Sequence, residues 1–380
     1  MSRAVDASDL AVSVAERVAA AVATGRSTAF VLTERPDVAR ALRKLAKRAQ
    51  PRWSDADGYV ISPDAAGALV GKGPSDTAYS PTALQFFAAC PYRFYLYGIA
   101  RFRGAEAPDA FAVDALTRGS LLHEIYFRAG VALRGAALLP LSYERRAEAG
   151  TLTAEIVDAC IVQMRAKCLH VHEVVWDDAM AEIRTDAMEW LDALLGRPEV
   201  PAFFELAFGL EATGDARDAA SVEDSVLLAC GLRVRGSVDL IERLPDGRLR
   251  ATDYKTGKVA SEPGDVIQGG ELLQPVIYAL VLEQVLKGES VAGGQLWYGT
   301  FRGEYTHVDV PLNEEARASA QALHDALAQA VARGAFPKSP SEGACTYCEY
   351  RGFCDEAHAP RVSDKPAATL PALTALRARR

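Results

Sequence analysis

Asp239, Asp253 and Lys255 lie on the two arms of one short hairpin-like stretch, Gly236 to Gly257, and together they limit the chemistry open to this chain. Two hard carboxylate ligands beside an ammonium suit a divalent cation such as Mg²⁺ and a phosphodiester. His123 can add a ring nitrogen, and a mixed N/O shell favours Mn²⁺ or Mg²⁺ over Ca²⁺. Hydrolysing such an ester needs a metal to activate water and to neutralise charge in the transition state. Lys255 would position or deprotonate that water, or stabilise the pentavalent phosphorus. Gln274 and Tyr278 are four residues apart on one face of an expected helix, so both can reach the lysine or the same phosphate.

Each of these residues has a plainer reading when taken alone. A single histidine in an apolar helix is usually a hydrogen-bonded core residue, and Asp-Tyr-Lys-Thr-Gly is a common way to end a strand. Gln274 and Tyr278 would then be a solvated polar residue and a core-edge aromatic. Only the set, in this order, rises above those readings.

A second group is made of thiols. Cys345, Cys348 and Cys354 crowd near the C-terminus, and from spacing alone they read as a zinc site completed by a residue such as His358. Cys160, Cys168 and Cys230 fall inside helix or strand patterns and read as buried thiols. A third group interleaves aromatic and basic residues, from Tyr92 through Arg93, Phe94, Tyr95 and Tyr97 to Arg101 and Arg103. Phe94 and Tyr95 read as packing residues, whereas Arg93, Arg101, Arg103 and Arg235 are candidate nucleic-acid phosphate contacts.

The elements that must hold these residues follow from punctuation and periodicity. Val238, Leu240 and Leu244 precede a Pro-Asp-Gly turn, and Leu249, Ala251 and Tyr254 follow it, so two paired strands would bring both carboxylates and the lysine to one end. Ser80-Pro81 is an N-cap with proline at the first helical position. Helices are expected at 9–24, 36–49, 117–133, 142–170, 173–196, 271–287 (despite an awkward Pro275) and 313–333. Strands are expected at 28–32, 203–212, 225–235, 236–244, 248–254, 294–301 and 305–311. The Pro/Gly/Ser/Asp-rich run from Gln50 to Ser80 reads as a linker, and Arg377, Arg379 and Arg380 as a frayed charged end. Helices first, then a meander, a helix, two strands and a helix imply an α/β core with helical decoration. The chain divides into an αβα extension with linker (1–75), a main domain (76–360) with a helical insertion near 135–200, and a tail (361–380).

The net charge of −8 argues against a protein coated in basic residues. Between Arg233 and Lys258, however, seven basic residues (Arg233, Arg235, Arg243, Arg248, Arg250, Lys255, Lys258) face four acidic ones (Asp239, Glu242, Asp246, Asp253), so a local surface suits a polyanion. No apolar run is long enough to span a membrane, and the N-terminus lacks a signal-like pattern, so a cytoplasmic protein is expected. Seven cysteines do not form a secreted disulfide framework. There is no phosphate loop of the Gly-x-x-x-x-Gly-Lys-Ser/Thr kind, so no ATP-driven motor is expected within the chain.

Gly-Ser-Leu-Leu-His (119–123), Gly-Ser-Val-Asp (236–239), Asp-Tyr-Lys-Thr-Gly (253–257) and Gln-x-x-x-Tyr (274–278) occur in an order that resembles the RecB/AddB-type branch of the PD-(D/E)XK nuclease superfamily. The resemblance covers roughly residues 78–358. It implies a restriction-endonuclease-like α/β core, a mixed central sheet flanked by helices, and a Mg²⁺- or Mn²⁺-dependent nuclease centre. That centre would use His123, Asp239 and Asp253 as metal ligands, with Lys255, Gln274 and Tyr278 completing the catalytic set. Val238 stands where the family name has proline. An upstream glutamate sometimes assists, and Glu205 and Glu211 are both candidates. Cys90 before the motifs and three cysteines after them are similar to the family's iron-sulfur staple, which implies a [4Fe-4S] cluster on Cys90, Cys345, Cys348 and Cys354, with Zn²⁺ as the alternative. The implied activity is hydrolysis of single-stranded DNA or of DNA ends, as an exonuclease in DNA repair and recombination, with a separate helicase as partner. Residues 1–75 would be a remnant of a helicase-like domain or a docking element for one. The alternative is a non-catalytic DNA-binding or assembly module on the same fold.

Overall fold

The computed structural model describes residues 36–60, 62, 66–103, 111–210, 218–261, 264–346, 348–351, 365 and 370–380. The elements expected at 9–24 and 28–32, together with Glu211, Cys354 and His358, lie outside the described residues. Seven strands are present among those described: β1 (Val200–Phe208), β2 (Val226–Leu227), β3 (Arg233–Val234), β4 (Gly236–Arg243), β5 (Leu249–Lys255), β6 (Val291–Tyr298) and β7 (His307–Pro311). Five of them form one mixed sheet in the order β1-β4-β5-β6-β7, while β2 and β3 form a separate ribbon. The helices are α1 (Pro36–Arg48), α2 (Pro81–Ala89), α3 (Pro91–Phe94), α4 (Ala115–Gly135), α5 (Arg146–Arg165), α6 (Glu173–Asp192), α7 (Gln274–Val285), α8 (Glu314–Arg333) and α9 (Pro371–Arg377).

β4 and β5 pair antiparallel from Arg243 opposite Leu249 to Leu240 opposite Thr252, so the expected hairpin forms. Its turn closes with Leu244 donating its backbone N–H to the Arg248 carbonyl, and Gly247 adopts φ 86, a left-handed conformation that glycine takes without strain. β5 and β6 run parallel, which requires a crossover, and α7 supplies it. Pro275 is not awkward: it lies in the first helical turn, where its missing N–H has no partner to lose. Gly294 allows α7 to approach so closely, because a Cβ there would meet the Pro275 carbonyl oxygen at 2.2 Å.

Helices cover both faces of the sheet. On one face α2, α3, α7, α8 and α9 pack over Val238, Ile241, Ala251 and Leu296. On the other, α4, α5 and α6 pack over Phe204, Leu240, Tyr254 and Trp297. Tyr126 of α4 joins this second helical layer to the sheet, stacking on Trp190 of α6 and lying 4.8 Å from the Tyr254 ring of β5. α4 starts at Ala115, earlier than expected, because Asp114 caps it by accepting from the Thr117 N–H.

Three expectations need correction. The segment 225–235 is not one strand: the chain reverses between β2 and β3, with Gly231 at φ 88. The run from 50 to 80 does not lie loose against the body. Val60 donates to the Gly334 carbonyl, Phe336 to that of Gly58 and Lys338 to that of Asp57, so its backbone is paired with the segment after α8. The C-terminal arginines do not mark a frayed end. Leu370, Leu373 and Leu376 bury the apolar face of α9, and the Arg377 guanidinium donates to the Ala88 and Ala89 carbonyls at the end of α2. The Arg379 and Arg380 carbonyls accept from Gly269, Val266 and Ile267. Three leucines at helical spacing outweighed the charge on the last turn.

Candidate active site

The site forms where β1 and β4 depart from regular pairing. Phe204 pairs with Leu240 and Leu206 with Val238, which leaves Glu205 opposite Asp239. Glu205 has φ 47, a costly left-handed conformation for a residue with a side chain. Such an irregularity in a strand re-aims a side chain, and here it turns Glu205 toward α4. His123, from the middle of α4, places Nδ1 3.4 Å from Asp239 Oδ2. Ligand atoms of His123, Glu205 and Asp239 all lie within 4.8 Å of one another, the one such group among the described residues. The same Asp239 oxygen accepts from the Tyr254 backbone N–H at 2.8 Å, which ties β4 to β5 where their ladder has ended.

Asp253 and Lys255 emerge from β5 on the α7 side. Lys255 Nζ lies 2.6 Å from Asp253 Oδ2 and donates to Gln274 Oε1 at 2.5 Å. Gln274 in turn bonds the Tyr278 hydroxyl, which is buried against Phe208. The expected pair on one face of α7 is therefore present, with Gln274 on the lysine and Tyr278 behind it. Ser237 donates to Glu205 Oε2 at 2.7 Å and holds that carboxylate in place.

The electrostatics are those of an anionic pocket. Burial alone would lower the His123 imidazole, but the Asp239, Asp253 and Glu205 carboxylates outweigh it and raise the group to about 9. Burial and the Asp239 charge push Glu205 up to about 7. Burial likewise raises Asp253, against the pull of Lys255. Glu205 and Asp253 are pushed up because they are buried and crowded with a further carboxylate that one lysine and one histidine do not balance. A divalent cation fits this donor set of oxygens and one imidazole nitrogen, with Mg²⁺ or Mn²⁺ the matching choices. Of the two candidate glutamates, Glu205 belongs to the group, set opposite Asp239 by the antiparallel register, while Glu211 lies outside the described residues.

The other expected residues divide. Arg93 is committed to Glu349 at 2.6 Å and lies 3.6 Å over the Phe86 ring. Arg101, Arg103 and Arg235 converge on a separate cavity. Cys90 sits between α2 and α3, and the segment bearing Cys345 and Cys348 is drawn to it: Ser341 donates to the Ala89 carbonyl and Glu349 pairs with Arg93. Cys160 and Cys168 are buried, as expected, and Cys230 is partly so. Phe94 is fully buried, also as expected. No helix among the described residues is long and apolar enough to cross a membrane.

A mixed sheet with helices on both faces, and a carboxylate-imidazole-lysine site where its strands part, defines an α/β protein with a donor group that could hold a divalent cation. The chain belongs to the PD-(D/E)XK nuclease superfamily, whose family model matches residues 78–355, most of its length. Members of that superfamily are typically metal-dependent nucleases. No curated protein is similar enough to the chain to count as a match.

Proposed function

We propose that this chain is a Mg²⁺- or Mn²⁺-dependent deoxyribonuclease of the RecB/AddB type, acting as an exonuclease on single-stranded DNA or at DNA ends in the cytoplasm. The observation that carries this reading is the convergence of His123, Glu205 and Asp239 beside the Asp253-Lys255-Gln274 chain. His123, Asp239 and Asp253, with Glu205, would hold the cation, which when bound supplies a Lewis acid and an acidified water. Lys255 has three N–H donors, and Asp253 and Gln274 engage two, so the third is left for a non-bridging phosphate oxygen. That ammonium is aimed where negative charge grows as the water oxygen bonds to phosphorus and the opposite P–O bond breaks. Tyr278 positions Gln274, and Gln274 positions the lysine.

Cys90, Cys345, Cys348 and Cys354 would hold a [4Fe-4S] cluster that pins the C-terminal segment across the core, with Zn²⁺ as the alternative. The contacts from Ala89 to Ser341 and from Arg93 to Glu349 support that role, because they already lay the two cysteine-bearing segments together. A helicase partner in double-strand-break repair would supply unwinding, and residues 1–75 would serve as its docking element.

End-labelled single- and double-stranded DNA incubated with Mg²⁺ or Mn²⁺ tests the reading. Metal-dependent shortening from one end is expected, and uncut DNA under every metal condition would overturn it. Iron and acid-labile sulfide in a brown anaerobic preparation are expected, and a colourless protein with stoichiometric zinc would replace the cluster.

A further inference from the structure

Outside the cleavage centre, three arginines line a single cavity of about 120 Å³, bounded by Tyr79, Ser80, Tyr97, Arg101, Arg103 and Arg235. No acidic side chain is among the described residues that line it. In a chain of net charge −8, three such cations brought together with no carboxylate among the described lining residues are a positive site. The cavity holds the volume of about four waters, enough for a tetrahedral phosphate.

The arginines are presented rather than dangling. Arg101 sits at φ 53 in a turn whose next residue is pinned on both sides, since Phe102 donates to the Leu96 carbonyl and its own carbonyl accepts from the Tyr350 hydroxyl. Arg103 lies 3.9 Å over the Tyr97 ring, with one nitrogen donating to the Tyr97 and Phe102 carbonyls and a further bond to the Tyr350 hydroxyl, so its planar fork of five N–H donors is held in place and not filled. Arg101 and Arg235 are exposed, and their side chains make no hydrogen bond or ion pair among the described residues.

The cavity is also in register with the cleavage centre. Arg235 immediately precedes β4, and Ser237 and Asp239 alternate along that strand and share one side of it. Ser237 bonds Glu205, and Asp239 belongs to the cation group. The four residue steps from Arg235 to Asp239 span at most about 13 Å at about 3.3 Å per residue, a distance that a short run of nucleotides covers.

We propose that Arg101, Arg103 and Arg235 form a phosphate-binding pocket that grips the backbone of the nucleic-acid strand to one side of the cleavage centre and sets the shortest strand held in place for cutting. This rests on the nuclease reading above and adds a second anchor point to it. Because the pocket takes a phosphate, either an internal or a terminal one serves it.

The test uses the full chain and an Arg101→Gln/Arg235→Gln variant, with oligonucleotide binding followed by fluorescence anisotropy in chelator over a series of salt concentrations. The variant is expected to bind about tenfold more weakly or worse, with the slope of log K against log salt shallower by about 0.7 for each phosphate the pocket no longer holds. An Arg101→Lys/Arg235→Lys variant, which keeps the charge, should recover most of the salt slope, which general damage to the fold would not allow. Oligonucleotides of graded length with 5′-phosphate, 3′-phosphate or hydroxyl ends separate a terminal phosphate from an internal one. Affinity and slope unchanged in the glutamine variant would overturn the proposal. Cleavage of a small aryl phosphodiester by the parent protein, too short to reach the pocket, reports on the cleavage centre alone, so failure of the pocket and failure of the nuclease reading give different results.

Discussion

β4 carries two acidic residues three positions apart, Asp239 and Glu242, and each has a basic group near it, His123 of α4 beside the first and Arg250 of β5 beside the second. Glu242 is almost fully buried, yet its carboxylate is met on every side: Arg197 at 3.0 Å, Arg250 at 2.9 Å and the Thr252 hydroxyl at 2.9 Å. Asp239 instead shares its space with two more carboxylates and a histidine. In the first arrangement the carboxylate's charge is met by two guanidinium groups. The second carries more negative charge than its own cations balance, and that surplus is a site's demand for a ligand. A buried acid is therefore read by what neutralises it, not by its burial.

The sharpest way to break this contrast is to truncate one acid from each group. Asp239→Ala should lower DNA hydrolysis by about 10³-fold while leaving the unfolding midpoint close to that of the parent. Glu242→Ala should do the reverse, costing about 3–5 kcal/mol of stability by stranding Arg197 and Arg250, with activity per folded molecule retained. Urea denaturation beside a nuclease assay reads both. Equal destabilisation by the two variants would make Asp239 a structural acid as well.

Metal addition separates the groups at the next level. A saturating divalent cation should raise the thermal midpoint, with about 2.7 kcal/mol expected at a hundred times the dissociation constant. The shift should vanish in Asp239→Asn and survive in Glu242→Gln, as measured by scanning calorimetry against a chelated control. A shift that survives in Asp239→Asn would place the cation elsewhere.

The smallest effect concerns how α4 delivers His123. Asp114 caps that helix, and hydrogen bonds from the Thr117 side chain hold its carboxyl below the ordinary value. A folded-state value below the unfolded one means stability that is present above the ordinary carboxylate range and lost as pH falls through it. Asp114→Ala should cost about 1 kcal/mol at neutral pH and flatten the acid limb of the stability curve. An acid limb as steep as the parent's would remove Asp114 from its cause.

Much of this molecule is written locally. Ser80-Pro81, the Asp246-Gly247 turn and Asn313 before α8 fix ends of elements through hydrogen bonds made within a few residues, and such bonds need no tertiary partner. The motif residues His123, Asp239, Asp253, Lys255, Gln274 and Tyr278 could be found in the same way, because their types and order survive without a fold. Tertiary structure decided what depends on long-range contact. It brought Glu205 opposite Asp239 by strand register. It buried α9 on three leucines where the charges pointed to a free end. It also split four similar arginines into one held by Glu349 and three around a cavity. Charge balance is the common reason: a carboxylate or a guanidinium looks the same along the chain, and only folding reveals whether its counter-charge is already in place.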